Sequence, residues 1–336
     1  MSPMAEDPPT TSLAQPAEDR PRVVSTRIGP ADVAFRTGAR LAGLLVLAIT
    51  GLIAAFLIVR ASSTLRAIGW RFLTNLQWLV ETRDAGVGAI LPDTILIAFI
   101  ALLIAVPVAL ATAIFISEYA PSRLRRPCIA VIDLMAAIPS ILYGIWGFFW
   151  LMPRFIGIER WISDHLGFIP FLKVPGPFQP GNFENSTLLA ATVVSLMIIP
   201  IVASISREVF SQAPAGEREA AYALGSTRWG MIRAVVLPYA RGGMIGAVML
   251  GFGRAMGETI VIAIIISQVF RVVTHPLQSG GNSIAALIAQ DAGESSPSVI
   301  SALIAAGLVL FVVTLVVNAI AGIIIARSRS GLQTVD

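Results

Sequence analysis

Long apolar runs dominate the chain and alternate with shorter polar segments. Each run is close to the roughly 20 residues that an α-helix needs to cross a bilayer core about 30 Å thick. None of the runs shows the alternating pattern of a transmembrane barrel strand. The pattern therefore predicts an all-α polytopic membrane protein with six transmembrane helices, at about residues 39–59, 93–117, 129–152, 187–206, 242–267 and 298–326.

The polar segments suggest a division of the chain into four parts. Residues 1–38 are rich in Pro, Ala, Ser, Thr and charge, so we expect a disordered tail. Residues 39–86 hold the first span and a segment whose tryptophans suit the outer membrane interface. The other five spans form the main domain at 87–326, which includes a Pro- and Gly-rich outer loop at 153–186, predicted to be irregular. A second tail covers 327–336.

Arginine is unevenly distributed among the loops. If the N-terminus is inside, the inner segments carry more arginines than the outer ones, with one cluster at 123–126 and another from Arg207 to Arg241. Because positive residues are enriched on the cytosolic side of short loops, both termini are predicted to be cytosolic. The first outer loop, 60–92, has four arginines and weakens this bias.

The composition restricts the chemistry available to the chain. It is 56% hydrophobic and 13% charged, which fits a membrane protein, and it has one cysteine, Cys128. Its two histidines, His165 and His275, are far apart in sequence, so neither an internal disulfide nor a metal site is expected. The only lysine, Lys173, is not in a Gly-Lys-Ser/Thr sequence, so the chain lacks a phosphate-binding P-loop. We expect no ATPase site and no catalytic residues.

A polar island lies between the fourth and fifth spans. Pro214 can begin a helix there, and Glu217 and Glu219 then lie at the positive end of its dipole. Gly225 is placed to end or bend this helix. Beyond it, Trp229, Ile232 and Val236 have the spacing of one apolar helical face, and Pro238 precedes the fifth span. Two interpretations are open: a helix that docks on another protein, and a loop helix that packs on its own bundle.

The sequence of this island resembles the EAA motif of bacterial ABC-importer permeases. That motif reads E-A-A, three residues, G, and ends in L-P after a further stretch. Here it matches Glu219, Ala220, Ala221, Gly225, Leu237 and Pro238. The resemblance implies the type I permease fold and a cytosolic coupling helix at about 214–230 that inserts into a groove of a separate ATPase. In it, Glu219 is the anionic contact, Ala220 and Ala221 form the close-packed face, and Gly225 makes the turn.

Two opposite charges lie inside the fifth predicted span. Arg254 and Glu258 are four residues apart, which places them on one face if the helix is continuous. A single charge at mid-membrane costs roughly 2.5–3.5 kcal/mol on insertion scales, so we expect the two to form an ion pair, to face water, or both. A structural salt bridge is one interpretation. The other is an anion site, because a guanidinium matches the oxygens of phosphate or carboxylate.

The same residues resemble the R-A-x-G-E-T signature of phosphate-importer permeases, which adds Thr259. A second match, Ile138 to Gly144, is similar to the family's I-P-S-V-V-Y-G. The resemblance implies a substrate pathway that contains Arg254, Glu258 and Thr259, together with Ser140, Tyr143 and the preceding Asp133. From the residues alone, Ser140 and Tyr143 are equally compatible with ordinary contacts between helices.

The resemblance is to PstC-type subunits in particular, and it implies partners. These are a second permease of PstA type, a PstB-type ATPase dimer and an extracytoplasmic PstS-type phosphate-binding protein, all at the bacterial inner membrane. The chain itself is expected to bind no cofactor, since ATP and Mg²⁺ are used by the ATPase. Two alternatives are a permease for another oxyanion, such as molybdate or sulfate, and an ion-coupled secondary transporter.

Overall fold

The computed structural model describes residues 29–81, 84–176, 179–293 and 296–329, and the side chains only as far as residue 326. The chain divides into two units, residues 1–52 and residues 53–336. The described part of the first unit is the N-terminal part of one long helix. The second unit contains all the other elements and every candidate site residue.

The described residues are mostly helical, which confirms the predicted all-α class. The helices are α1 Pro30–Ile68, α2 Arg71–Thr74, α3 Ile90–Ile114, α4 Ser122–Ala137, α5 Ser140–Trp146, α6 Met152–Leu166, α7 Thr187–Ser211, α8 Ala215–Ala223, α9 Arg228–Met231, α10 Leu237–Met256, α11 Ile260–Ile265, α12 Ile284–Asp291 and α13 Pro297–Arg329. Three π-helical turns, Phe115–Tyr119, Gly147–Leu151 and Ile232–Val236, continue α3, α5 and α9. Short 3₁₀ turns lie at Pro170–Leu172 and Pro180–Asn182, and β1 Trp78–Leu79 pairs antiparallel with β2 Asp84–Ala85.

Six helical segments of the described chain are long and apolar enough to cross a membrane, as predicted. They are Pro30–Ile68, Ile90–Tyr119, Ser140–Leu166, Thr187–Ser211, Arg228–Met256 and Pro297–Ala326. The first begins nine residues earlier than expected, so the prediction of a disordered tail is wrong for residues 30–38. Residues 1–28 and 330–336 lie outside the described part of the chain, and the predictions for them stay predictions.

The third span differs most from its prediction of 129–152. The helix stops at Ala137, and Ile138 has an extended backbone with φ −67° and ψ 126°. The cause is Pro139, whose ring disfavours the helical conformation of the residue before it. A new helix starts at Ser140 and continues through Leu166, so the first part of the 153–186 loop is helical and not irregular.

The fifth span is also shifted relative to its prediction of 242–267. It starts at Arg228 and passes through Pro238 without a break. Proline has no N–H to donate to the helical hydrogen-bond pattern. The π-helical turn Ile232–Val236 lies immediately before it, and its wider hydrogen bonds accommodate the missing donor. The proline therefore lies inside the helix and does not stop it, and the span ends at Met256.

Helices α3 and α7 form the centre of the second unit, and α10 packs closely on α7. Two glycines of α10 allow this approach. A Cβ at Gly243 would lie 2.5 Å from a methyl carbon of Val209, and one at Gly251 would lie 2.7 Å from a methyl carbon of Ile198. Larger side chains at these positions would separate the two helices.

Apolar clusters mark the two ends of this bundle. At one end, called here the α8 end, the last turns of α3 and α7 pack with α8, α9 and the start of α10. At the opposite end, the end of α1 and the start of α3 pack with α2, α12 and the start of α13. The α8 end therefore joins the polar island directly to the two central helices.

Candidate functional site

The polar island folds into two short helices joined by a tight turn. Helix α8 starts after Pro214 and ends with Gly225 in the left-handed conformation, φ +82°. The N–H of Gly225 donates to the Tyr222 carbonyl at 2.9 Å, and the N–H of Ser226 donates to the Ala221 carbonyl at 3.1 Å. These two bonds make a Schellman motif, which glycine favours because it has no Cβ. The predicted roles of Pro214 and Gly225 in the local structure are confirmed.

The predicted helix at 214–230 is in fact two helices. After the glycine turn, Thr227 caps α9, and its hydroxyl accepts the N–H of Gly230 at 3.1 Å. Ile232 and Val236 are buried as expected from their spacing, whereas Trp229 is 53% exposed. Trp229 is in the first turn of α9 and is not part of the apolar cluster at this end.

Helix α8 has one packed face and one free face. Ala221 is buried in a cluster with Ala213, Met231 and Ile232. Glu219 and Ala220 are exposed, and Leu224 at the C-cap is 88% exposed. The interpretation that the helix packs on its own bundle is therefore confirmed for the face that carries Ala221. Docking on another protein stays a prediction, and Glu219 and Ala220 are exposed.

Arg254 and Glu258 do not form the predicted ion pair. The helix ends at Met256, and Glu258 follows in the bend between α10 and α11, so the two residues are not on one helical face. The bend is stabilised locally, since the Thr259 hydroxyl donates to the Gly257 carbonyl at 3.1 Å in place of a helical bond. The ion pairs described in this structure are Arg160–Asp164 and Arg218–Glu118.

The guanidinium of Arg254 is exposed in a pocket between helices. The pocket has a volume of about 600 Å³ and is lined from three helices, α7 by Ile201, α10 by Gly253 and Arg254, and α13 by Thr314 and Asn318. No hydrogen bond or ion pair joins Arg254 to another part of the described chain. Its charge is therefore available to a ligand or to water.

Glu258 is buried, with 7% exposure, and lies against the start of α11. One carboxylate oxygen accepts the N–H of Val261 at 3.3 Å. Helix α11 in turn packs on α5, where a Cβ added to Gly144 would lie 3.1 Å from a methyl carbon of Ile264. Glu258 thus lies at the start of α11, the helix that packs on the segment that carries Ser140 and Tyr143.

The candidates near Pro139 are in different environments. Tyr143 is buried, and its hydroxyl donates to the Met135 carbonyl at 2.9 Å, across the break between α4 and α5. Ser140 is half-buried and Asp133 is exposed on α4. Tyr143 uses its only donor within the chain, so binding an anion through that donor would require this bond to break.

A family model decides the class of protein to which this architecture belongs. The model of the binding-protein-dependent transport system inner membrane component matches residues 105–330, which is most of the chain. The chain belongs to this family. The match includes α8, the glycine turn, Arg254 and Glu258, and membership excludes the secondary-transporter alternative.

Curated relatives in several bacteria are similar over most of their length. The chain is 42% identical to the phosphate transport system permease protein PstC 2 of Mycobacterium tuberculosis, over 93% of this chain and 98% of that protein. It is 42% identical to the PstC protein of Xylella fastidiosa, over 77% of this chain and 79% of that protein. For the PstC protein of Pasteurella multocida the identity is 37%, over 88% and 92%.

Solved structures with the same fold are permeases of ABC transporters. A bacterial ABC transporter that imports the acidic polysaccharide alginate has a chain that aligns with a TM-score of 0.52 at 16% identity, covering 88% of this chain and 99% of that chain. A chain of the inward-facing methionine transporter aligns with a TM-score of 0.50 at 16% identity, over 70% and 93%. This protein therefore has the type I ABC-permease fold and is a transport subunit of that family.

One ion pair of this chain was missed from the sequence. Arg218 and Glu118, which were not singled out there, form an ion pair at the α8 end. The signal that could have found them is Glu118 itself, a lone acid at the end of an otherwise apolar run that leads into an arginine-rich side of the protein. Such an acid is expected to have a basic partner, because an unpaired buried charge is costly.

Proposed function

We propose that this protein is the PstC-type permease subunit of an ATP-driven importer of inorganic phosphate. The observation that carries the proposal is the 42% identity to PstC 2 of M. tuberculosis over 93% of the chain. The free face of α8 supports it, because a transport subunit without a P-loop needs a surface through which a separate ATPase can act. Glu219 and Ala220 are exposed on α8, and we propose that they contribute to that surface.

The proposal implies a complex with three kinds of partner. A PstA-type permease completes the translocation pathway, a PstB-type ATPase dimer binds the coupling helices, and a PstS-type binding protein delivers phosphate from outside. In this arrangement the chain binds no cofactor, and ATP and Mg²⁺ belong to the ATPase. The α8 end is cytosolic, both termini are cytosolic, and the protein is a multi-pass component of the bacterial inner membrane, in agreement with the arginine distribution.

Phosphate is proposed to interact with Arg254. Its guanidinium is exposed in a pocket of about 600 Å³, where it can present two parallel N–H donors to an oxyanion. Glu258 and Thr259 follow in the bend after α10, and Glu258 is able to accept a hydrogen bond from a protonated oxygen of hydrogen phosphate once the bend opens. Fully ionised sulfate has no such proton.

Movement of the pathway is proposed to occur at the two helix breaks. Closure of the ATPase dimer moves α8, and the motion reaches Arg254 along the continuous helix Arg228–Met256. The bend at Gly257–Thr259 and the break at Ile138–Pro139 are points where backbone torsions can change without unfolding a helix. The two states differ in their contacts with the ATPase, and this difference drives the shift between them.

Competition between anions tests the substrate. The complete complex, reconstituted with its ATPase and binding protein, is expected to take up labelled phosphate, with weak inhibition by excess sulfate or molybdate. Competition between the same anions for binding to the isolated binding protein separates its own selectivity from that of the permeases. Uptake of labelled molybdate or sulfate that is faster than uptake of phosphate would contradict the proposal and favour a permease for another oxyanion.

A further inference from the structure

The side chain of Arg218 connects α8 to both central helices. One terminal nitrogen, Nη1, donates to both carboxylate oxygens of Glu118, at 2.9 Å each. The other, Nη2, donates to the carbonyl of Phe210 at 2.5 Å, and Nε donates to the carbonyl of Ala213 at 3.2 Å. Glu118 is at the end of α3, and Phe210 and Ala213 are at the end of α7. A single guanidinium thus joins three elements.

This ion pair is shielded from solvent. The side chain of Glu118 is 5% exposed and that of Arg218 is 21% exposed. The carbonyl of Phe210 is in the last turn of α7, and that of Ala213 lies two residues beyond the end of this helix. Arg218 donates to both carbonyls and also compensates the charge of Glu118, and its planar guanidinium fixes the direction of these bonds. Arg218 therefore holds α8 in a defined orientation relative to α3 and α7.

A second contact joins α9, which follows the glycine turn, to the end of α3. The guanidinium of Arg228, the first residue of α9, lies 5.2 Å from the ring centroid of Tyr119. Tyr119 directly follows Glu118 in the π-helical turn that ends α3. Both arms of the island, α8 through Arg218 and α9 through Arg228, are therefore attached to the end of α3.

We propose that the Arg218–Glu118 pair is the link that transmits the displacement of α8 to α3 and α7. The inference rests on the proposed function, since it assigns a role within coupling to ATP turnover. Arg218 is adjacent to Glu219, so a force applied to the exposed face of α8 reaches the guanidinium within one residue. Both residues are positioning residues that touch neither phosphate nor, in this structure, the exposed face of the helix.

Loss of the Arg218–Glu118 pair is expected to disturb the transmission of motion from α8 without unfolding the α8 end. Helix α8 has another attachment, because the buried Ala221 packs in the apolar cluster of the α8 end, and this contact holds the helix at the bundle without Arg218. A variant without the ion pair therefore still binds and activates the ATPase, whereas α8 moves without displacing α3. ATP is then hydrolysed without the matching transport of phosphate.

The measurement is the number of phosphate ions transported per ATP hydrolysed in the reconstituted complex. Two variants change the pair with little change of shape: Glu118→Gln removes the negative charge, and Arg218→Lys keeps the positive charge but loses the fork. Both are expected to assemble in wild-type amounts, to retain ATPase activity, and to lower the ratio by roughly tenfold, within the usual range of coupling between sites. The matched control, Arg233→Gln beyond the turn, changes an exposed charge and is expected to keep the wild-type ratio.

The outcomes distinguish the link from a purely structural contact. A wild-type ratio in both variants would overturn the proposal. A second result would also overturn it: the Glu118→Gln complex does not assemble, and the Arg218→Lys complex assembles and keeps the wild-type ratio. In that case the pair serves folding alone. Failure of the wild-type complex to hydrolyse ATP or to take up phosphate would instead refute the proposed function. The link proposal is thus tested on the variants, and the proposed function is tested on the wild type.

Discussion

At the scale of single residues, two arginines of this protein have opposite environments. Arg218 uses its guanidinium entirely within the chain, in four hydrogen bonds to one carboxylate and two carbonyls. Arg254 has no such bonds in the described chain and lines an open pocket. The first arginine is therefore part of the scaffold, and the second is available for an anion. Arg254 lies within a span, as predicted from the sequence, but it does not pair with its predicted partner, Glu258.

Substitution of Arg254 tests its role as the anion contact. Arg254→Gln is expected to lower phosphate uptake by roughly tenfold to a hundredfold, because a hydrogen bond to a charged group contributes about 1.5–3 kcal/mol. Arg254→Lys is expected to fall between this variant and the wild type, since lysine keeps the charge and loses the bidentate fork. The assay is initial-rate uptake of labelled phosphate at equal amounts of assembled complex.

Arg241 supplies the control for this prediction. It lies near the other end of the same helix, is exposed, and is not among the pocket residues. Arg241→Gln removes the same charge from the same helix and is expected to leave uptake within about twofold of the wild type, as surface substitutions usually change free energies by no more than 0.5 kcal/mol. Equal uptake by wild type and Arg254→Gln would show that the guanidinium does not contact the substrate.

At the scale of elements, local chemistry explains which predictions were correct. The start of α8 at Pro214 and its end at Gly225 depend on backbone preferences of single residues, and these can be read from the sequence. The passage of a helix through Pro238 depends on a π-helical turn whose Ile232 and Val236 are buried against α3, α7 and α8, so it requires the tertiary structure. The bend after Met256 likewise depends on hydrogen bonds made by Thr259 and Glu258.

The exposed face of α8 makes a prediction about the ATPase. Glu219→Lys is expected to lower the amount of ATPase that copurifies with the permease by at least about tenfold, because it reverses the charge on the free face of the helix. Residue 219 lies beyond the first turn of α8, so the effect of a cation on the helix dipole is smaller there than the about 0.3–1 kcal/mol, or less than about sixfold, that applies within the first turn. Copurification is measured by the ATPase-to-permease ratio after affinity isolation of the complex.

Glu217→Lys separates the two contributions. Glu217 is exposed and lies in the first turn of the same helix, so the same substitution there carries the helix-terminus effect without changing residue 219. We expect a clearly smaller loss of copurifying ATPase in Glu217→Lys than in Glu219→Lys. Equal recovery of the ATPase in Glu219→Lys and in the wild type would mean that the partner binds elsewhere.

At the scale of the whole subunit, one continuous helix relates the two candidate sites. It runs from Arg228, beside the glycine turn, to Met256, two residues before Glu258. At 1.5 Å per residue its 29 residues span roughly 43 Å. Glycines at 243 and 251 hold it close against α7, whose end is bound by Arg218. A displacement at the α8 end can therefore reach Arg254 through packed helices without a separate mobile element.

The central claim is that ATP turnover on a separate subunit drives phosphate through this protein. The direct test is uptake of labelled phosphate by proteoliposomes that contain either the full complex or this chain alone, with an imposed proton or sodium gradient in both. We expect uptake only with the full complex, the binding protein and ATP, and none with the chain alone. Gradient-driven phosphate uptake by the chain alone, without ATPase, would contradict it.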